Sequence, residues 1–139
     1  MPEMKDGLLF RIAEKIAPRT SADFAAFAGL SCTAGLCEEF LYRGFVFAVF
    51  ARMLANTALS MAGAAALSSA WFAIGHLYQG KRGLVTTFVV GMLFSAVRIW
   101  SGSLIPSIAA HAGIDLIAGL FVSHSITQRE MFDVDESKA

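Results

Sequence analysis

The sequence predicts an all-α fold, a multi-pass transmembrane helical bundle of about four spans with an amphipathic N-terminal helix. The first reason is composition: 56% of the 139 residues are hydrophobic, 16% are charged, and the mean hydropathy is +0.61. Soluble domains usually have about 45–50% apolar and about 25% charged residues. The second reason is that long apolar runs are separated by short polar breaks. The sequence therefore predicts an integral membrane protein.

The first segment, residues 1–20, is polar and amphipathic. On a helix, basic residues would line one face and apolar residues its neighbour; they are Arg11, Lys15 and Arg19, and Leu8, Ile12 and Ile16. This pattern predicts an interfacial helix on an anionic membrane surface. A leader without regular structure fits the same residues equally well.

The predicted transmembrane core covers residues 21–124. Thr20 and Asp23 have capping-box spacing, which predicts a helix start. Four apolar stretches follow, at about residues 22–54, 57–78, 83–100 and 103–123. The first stretch is too long for one straight span, because about 20 residues cross a bilayer. Gly29 and Gly35 are expected either to break it or to let it pack closely.

Small residues predict where the helices pack. Ala58, Ala62, Ala66 and Ala70 form a stripe every four positions, which favours close helix approach. Cys32 and Cys37 are five apart, so on a helix their side chains point in different directions and a disulfide is not expected. We interpret both as small buried apolar residues.

Polar breaks and charges define the later elements. Residues 101–103 predict a tight turn, Ser103 can cap the fourth span, and Pro106 then falls in the first helical turn, where Pro is tolerated. Residues 125–139 form a polar, acidic tail that is expected to fray. In a four-span topology most Lys and Arg residues fall on one side, which predicts cytoplasmic termini. No basic stripe suggests nucleic acid.

Ionisable residues inside apolar segments are the main functional signal. Each costs about 2.5–3.5 kcal/mol on insertion scales, so such residues indicate function by default. They are Glu38, Glu39, Arg43, His76, His111 and Asp115.

The first group combines two carboxylates with one cation. Glu39 and Arg43 are four apart, in the favourable order for a helical salt bridge. Glu38 is rotated about 100° away from Glu39 around the helix, so it is outside this salt bridge and available for a different role. Two adjacent carboxylates in a low dielectric do not both ionise cheaply. Glu38 is therefore a candidate general base, although a charge network that only joins helices is the alternative.

The other two groups each contain a histidine. Phe72 and His76 share a helix face, and Gly75 would allow a neighbour to come close. A lone His is more often structural than catalytic. His111 and Asp115 lie one turn apart, so the carboxylate could orient the imidazole or the pair could merely tether two helices.

Together the three groups lie on three predicted spans and could meet in one bundle core. Glu38 with His76 could position and deprotonate a water, and His111 with Asp115 could stabilise an oxyanion. Two His and one Glu are also a known catalytic zinc set, and the residues alone do not decide between these options. The sequence has no HExxH motif, and Ser103 lies in a turn without an obvious base.

At these residues the chain resembles the CAAX protease and bacteriocin-processing family of intramembrane peptidases, also called the CPBP or Abi family. That family has the motifs EExxxR, FxxxH and HxxxN or HxxxD. Here they read Glu38-Glu39 to Arg43, Phe72 to His76, and His111 to Asp115. Residues 91–107, with the run SGSLIPS, are also family-like, and the resemblance covers about residues 29–120.

The resemblance implies an all-helical membrane protein that hydrolyses peptide bonds with glutamate-activated water in a cavity open to the membrane. By motif position, Glu38 would be the base, His76 its partner on the water, and His111 and Asp115 the oxyanion site. The supporting residues would be Glu39, Arg43 and Phe72. Family members are described both as metallopeptidases and as metal-free enzymes, so zinc stays an open expectation.

Two features depart from the family pattern. The chain is short, which fits a minimal or truncated member whose cavity needs a second copy to close. The third motif ends in Asp115 rather than Asn. An ionised Asp115 would repel an oxyanion, so it must be protonated or act through His111.

The leading hypothesis is an intramembrane endopeptidase that acts on lipidated C-terminal regions or leader peptides. Its expected partners are a peptide or protein substrate, membrane lipid and a second copy of the chain. The main alternative is a non-catalytic immunity or scaffold protein that uses the polar network for helix packing. A small proton carrier is a third reading, because buried Glu and His residues also form relays.

Overall fold

The computed structural model describes residue 15, residues 17–55 and residues 58–136, and all regular structure in these ranges is helical. The α-helices are α1 (Ser21–Glu39), α2 (Phe47–Met53), α3 (Ala58–Gly75), α4 (Gly80–Ser101) and α5 (Ile105–Glu136). A π-helical segment, Phe40–Val46, joins α1 to α2, and a 3₁₀ turn, Leu77–Gln79, precedes α4. The predicted all-α class is confirmed. The predicted interfacial helix at residues 1–20 falls almost wholly outside the described residues.

Three helical segments of the described chain are long and apolar enough to cross a membrane: Ser21–Met53, Leu77–Ser101 and Ile105–Gln128. The predicted span at 57–78 corresponds to α3, whose apolar part, Leu59–Gly75, is shorter than the about 20 residues that a span needs. Large apolar side chains face outward, such as Trp100 at 90% exposure and Leu59 at 85%. Such a surface suits lipid rather than water.

The first long segment is continuous and does not break at a glycine. Its geometry changes instead at Phe40–Val46, directly after the two adjacent glutamates. In that segment the Phe47 N–H donates to the Tyr42 carbonyl five residues back. Ser68 of α3 donates its hydroxyl to the same carbonyl at 2.6 Å. Isolated π-helical turns are frequent at functional sites.

Gly35 allows α1 and α5 to approach closely. An ideal Cβ at Gly35 would lie 3.1 Å from the backbone nitrogen of Ala112 and 3.1 Å from the carbonyl oxygen of Ile108. At Gly29, on the same helix, it would meet nothing within 4 Å. The expected close packing at a glycine is therefore found at Gly35 and not at Gly29.

Replacing Gly35 with alanine is expected to destabilise the protein by about 1–3 kcal/mol, because two backbones must separate to admit the methyl group. Gly29→Ala is the matched control and is expected to be neutral or stabilising by up to about 1 kcal/mol, since alanine is the better helix former. Thermal unfolding in detergent measures both. Equal melting temperatures for the two variants would contradict the close approach at Gly35.

The described chain divides into two compact units, and the first contains the described parts of Met1–Ser31 and Gly113–Ala139. Its capping box is confirmed: the Thr20 N–H donates to the Asp23 carboxylate at 2.9 Å, and the Asp23 N–H donates to the Thr20 hydroxyl at 3.2 Å. The Ser123 hydroxyl donates to the Pro18 carbonyl at 2.6 Å. This last hydrogen bond joins the segment just before α1 to the later part of α5.

The second unit, Cys32–Ala112, has its apolar core between α2 and α3. The buried core residues are Phe47, Ala51, Ala64 and Ala65. Of the predicted alanine stripe on α3, Ala66 and Ala70 are half-buried and Ala62 is exposed, whereas Ser68 and Ser69 are fully buried. Small serines can pack as closely as alanines and also hydrogen-bond, which the spacing of alanines alone did not reveal.

Two further sequence predictions meet different outcomes. Cys32 and Cys37 are free, as expected, but both are exposed rather than buried, because they lie on outward faces of α1. Ser103 does cap α5, accepting the Ile105 N–H at 3.2 Å, and Gly102 takes a left-handed conformation at φ 66°. Pro106 falls in the first turn, as predicted.

The tail does not fray where the sequence predicted. α5 continues from the expected end near Ser123 to Glu136. Residues 124–136 contain neither Gly nor Pro, so no residue stops the helix. The hydroxyls of Ser125 and Thr127 each donate to a carbonyl one turn earlier.

Candidate active site

A buried ion pair lies at the centre of the second unit. Arg43 Nη1 is 2.7 Å from Glu39 Oε1, and both side chains are 0% exposed. The predicted salt bridge is therefore present. The Arg43 guanidinium also stands 4.4 Å from the centre of the Phe72 ring and 5.3 Å from that of Phe94. Cation–π contacts of this kind compensate in part for lost hydration.

Gly91 of α4 makes room for this guanidinium. An ideal Cβ at Gly91 would lie 3.0 Å from Arg43 Nη2 and 3.0 Å from the Cβ of Ser69. Ser69 is fully buried, and its hydroxyl is 3.5 Å from the hydroxyl of Ser95 on α4. The ion pair is therefore enclosed by α3 and α4, which keep bulk water away from it.

His111 connects the two glutamates. Its Nδ1 is 2.9 Å from Glu39 Oε1, and its Nε2 is 3.7 Å from Glu38 Oε2. The ring stacks on Phe94 with centroids 5.1 Å apart and an interplanar angle of 19°. Because a carboxylate only accepts hydrogen bonds, Nδ1 must carry a proton when it bonds Glu39. From the sequence we paired His111 with Asp115, and the contact of His111 with Glu39 was not predicted.

Glu38 and Glu39 differ in their surroundings. Glu39 accepts hydrogen bonds from Arg43 and His111 through one oxygen and is fully buried. The Glu38 side chain is 33% exposed. The Oε2 atom of each glutamate is buried and has no hydrogen-bond partner among the described residues, so the two carboxylates differ in side-chain exposure and not in this respect. Glu38 is therefore the carboxylate that a reacting molecule can reach.

His76 directly follows the end of α3. Its Nδ1 is 2.9 Å from the Phe72 carbonyl, so Nδ1 donates and Nε2 is left as an acceptor in the neutral ring. The His76 ring packs on Phe72, with centroids 4.6 Å apart. Phe72 also meets the edge of His111 at 5.9 Å. One phenylalanine thus contacts both histidines and Arg43.

The second unit contains Glu38, His76 and His111 among the residues predicted to be catalytic. Asp115 lies one turn after His111 on α5, but it belongs to the first unit. Its role in an oxyanion site stays a prediction. His124, which the sequence does not link to the other groups, is exposed in the first unit.

The described side chains give the zinc prediction no support. Among the described residues, no three His, Cys, Asp or Glu side chains are arranged to hold a metal ion. Glu39 Oε1 is shared by Arg43 and His111, and His76 Nδ1 is bound to a backbone carbonyl. Zinc therefore stays a prediction, and the chemistry considered below uses only the side chains.

The structure adds residues that the motif analysis missed. Tyr42 meets Phe72 edge-on, with ring centroids 5.0 Å apart. Its hydroxyl oxygen lies 3.1 Å from where a Cβ on Gly75 would be. Tyr42 is four residues after Glu38, so helical spacing offered a signal for it. No sequence signal marked Phe94, whose contact with His111 depends on how α4 packs.

The sequence matches a model of a known protein family. The family model described as "Type II CAAX prenyl endopeptidase Rce1-like" matches residues 20–117. The matched range includes every motif residue from Glu38 to Asp115. No curated protein and no solved structure matches the chain.

Proposed function

Because the chain belongs to the Rce1-like type II CAAX prenyl endopeptidase family, we propose that it cleaves peptide bonds within the membrane with water activated by Glu38. One observation carries the assignment of the base. Of two adjacent glutamates, Glu39 is 0% exposed and paired with Arg43, whereas the Glu38 side chain is 33% exposed.

The proposed reaction begins with a water beside Glu38. The Glu38 carboxylate takes one proton as the water oxygen attacks the peptide carbonyl carbon, and the carbonyl electron pair moves onto oxygen. The protonated Glu38 then gives its proton to the amide nitrogen. The carbon–nitrogen bond breaks, releasing a carboxylic acid and an amine. The Nε2 lone pair of His76 is suited to accept the second hydrogen of the water and so to orient it.

His111 has a separate role in this proposal. As an imidazolium it would donate to Glu39 through Nδ1 and carry a second proton on Nε2, near Glu38. Its charge, with that of Arg43, would balance the two carboxylates, which favours burial of the set. The Nε2–H is then a candidate donor to the oxyanion, the role that the family resemblance implied. The contribution of Asp115 rests on the sequence alone.

The substrate and topology are proposed on the same basis. A family of prenyl endopeptidases suggests a peptide with a lipidated C-terminal region, and a leader peptide is the other candidate class. Cytoplasmic termini, contact with membrane lipid and a second copy that completes the cavity remain proposals from the sequence. The scaffold and immunity alternative is not favoured by the family match.

The proposed function is tested by peptide cleavage with purified protein in liposomes. The panel pairs prenylated C-terminal peptides with the same peptides lacking the lipid, and adds leader-type peptides. We expect mass spectrometry to find an internal cut in the prenylated set, with full activity retained in a chelator. Cleavage lost with chelator and restored by zinc would contradict the metal-free mechanism. Cleavage of none of the peptides at any protein concentration would count against the proposed substrate class.

A further inference from the structure

We propose that the Tyr42 hydroxyl is an additional substrate-contacting donor, hydrogen-bonded to the carbonyl oxygen of the peptide as that oxygen gains negative charge. The inference rests on the proposed function, because it assigns a further residue to the same reaction. It is drawn from the position of the hydroxyl, the anchoring of its ring and the absence of a hydrogen bond from the hydroxyl to any described residue.

The end of α1 and the segment that follows place two pairs side by side. Glu39 and Arg43 form the inner pair, with both side chains fully buried. Glu38 and Tyr42 have the same four-residue separation and form an outer pair, in which both side chains are partly exposed. Within the inner pair, the charges of the carboxylate and the guanidinium neutralise each other. The outer pair offers a carboxylate and a phenol that are both partly accessible.

The hydroxyl of Tyr42 lies beside Gly75. Its oxygen lies 3.1 Å from the ideal Cβ position of Gly75, the residue directly before His76. A side chain at Gly75 would therefore press on the hydroxyl. Within the described part of the chain, this hydroxyl makes no hydrogen bond, and it is left to donate to a ligand.

The ring that carries the hydroxyl is held firmly. It packs edge-on against Phe72, which also contacts His76 and His111. The backbone of Tyr42 is held by Ser68, which is fully buried and donates to the Tyr42 carbonyl at 2.6 Å. A donor fixed before the reaction stabilises developing charge without reorganisation. This is the arrangement expected of an oxyanion contact rather than of a packing tyrosine.

The test is Tyr42→Phe, which removes the hydroxyl and keeps the ring. We expect kcat to fall about 10²-fold, the usual effect of losing one oxyanion donor, with little change in KM or melting temperature. Tyr78→Phe is the matched control. Tyr78 also neighbours His76, with ring centroids 5.8 Å apart, but it is exposed and its hydroxyl accepts from Gln79 at 3.4 Å. We expect Tyr78→Phe to behave as wild type.

A second variant tests the role of the hydroxyl while Tyr42 itself stays unchanged. Gly75→Ala places a methyl group against the Tyr42 hydroxyl and should also lower kcat. Because Tyr42→Phe removes the atom that the methyl displaces, the double variant should be no less active than Tyr42→Phe alone. Losses that multiply in the double variant would overturn the inference.

Other outcomes also decide between the two proposals. A Tyr42→Phe kcat within about twofold of wild type, or a loss that follows a lower melting temperature, would overturn the role of Tyr42 alone. Glu38→Gln is measured in the same assay. Wild-type activity in Glu38→Gln would overturn the proposed function instead, whatever Tyr42→Phe shows.

Discussion

Glu38→Gln is expected to lower the rate of peptide cleavage about 10²–10⁴-fold while the protein remains folded, because the amide cannot take a proton from water. The substitution keeps the size of the side chain. It removes a charge from a group that is 33% exposed and whose Oε2 makes no hydrogen bond within the described residues, with His111 Nε2 at 3.7 Å, so little packing is lost. Initial rates on a cleaved peptide, with melting temperature and size-exclusion profile, measure both effects.

The neighbouring glutamate supplies the control. Glu39→Gln is also isosteric, but it removes the charge that pairs with Arg43 at 2.7 Å and accepts from His111 at 2.9 Å. We therefore expect Glu39→Gln to lower the melting temperature, and Glu38→Gln to leave it nearly unchanged. If Glu38→Gln were the less stable of the two, the two glutamates would have structural roles opposite to those proposed.

Arg43→Met is expected to destabilise the protein by about 3–5 kcal/mol, because it leaves the buried Glu39 carboxylate without its cation. Methionine fills much of the same volume, so the loss of stability measures the missing charge rather than a new cavity. Arg43 is enclosed by Phe72, Phe94 and the bare backbone of Gly91. Unfolding in detergent, followed by heat or denaturant, gives the change in free energy.

The double variant Glu39→Gln with Arg43→Met tests this explanation. Once the carboxylate is neutral, the missing cation matters less, so the double variant should be more stable than Arg43→Met alone. Arg52→Met is a suitable control, since Arg52 is exposed and lies near the end of α2. If the double variant lost as much unfolding free energy as the two single variants added together, Arg43 would stabilise the protein by some means other than the ion pair.

Much of this protein could be predicted without coordinates. Composition and apolar runs predicted an all-helical membrane protein, because a bilayer requires long apolar helices whatever their packing. Spacing along one helix predicted the Glu39–Arg43 salt bridge, the Thr20–Asp23 capping box and the Ser103 cap, since each depends on neighbours within about one turn. The order of the three motifs predicted the family.

Contacts between helices could not be predicted in the same way. His111 lies 72 positions from Glu39, and no periodicity indicates that its ring bonds that carboxylate rather than serving only Asp115. The site therefore centres on a shared histidine, where the sequence suggested separate Glu–His and His–Asp pairs. The outward positions of Ala62 and Cys32 were mispredicted for the same reason, because they depend on which side of a helix meets its neighbour.

The residue types and their order along the chain establish that charged groups lie within apolar helices, and local spacing establishes which of them share a helix face. Folding then distinguishes the two adjacent glutamates: one is enclosed by Arg43, His111 and aromatic rings, and the other is left partly open beside Tyr42. The physical reason is that burial and hydrogen bonding set the chemistry of a carboxylate, and α3, α4 and α5 supply most of the burial and the His111 hydrogen bond, which local spacing does not predict.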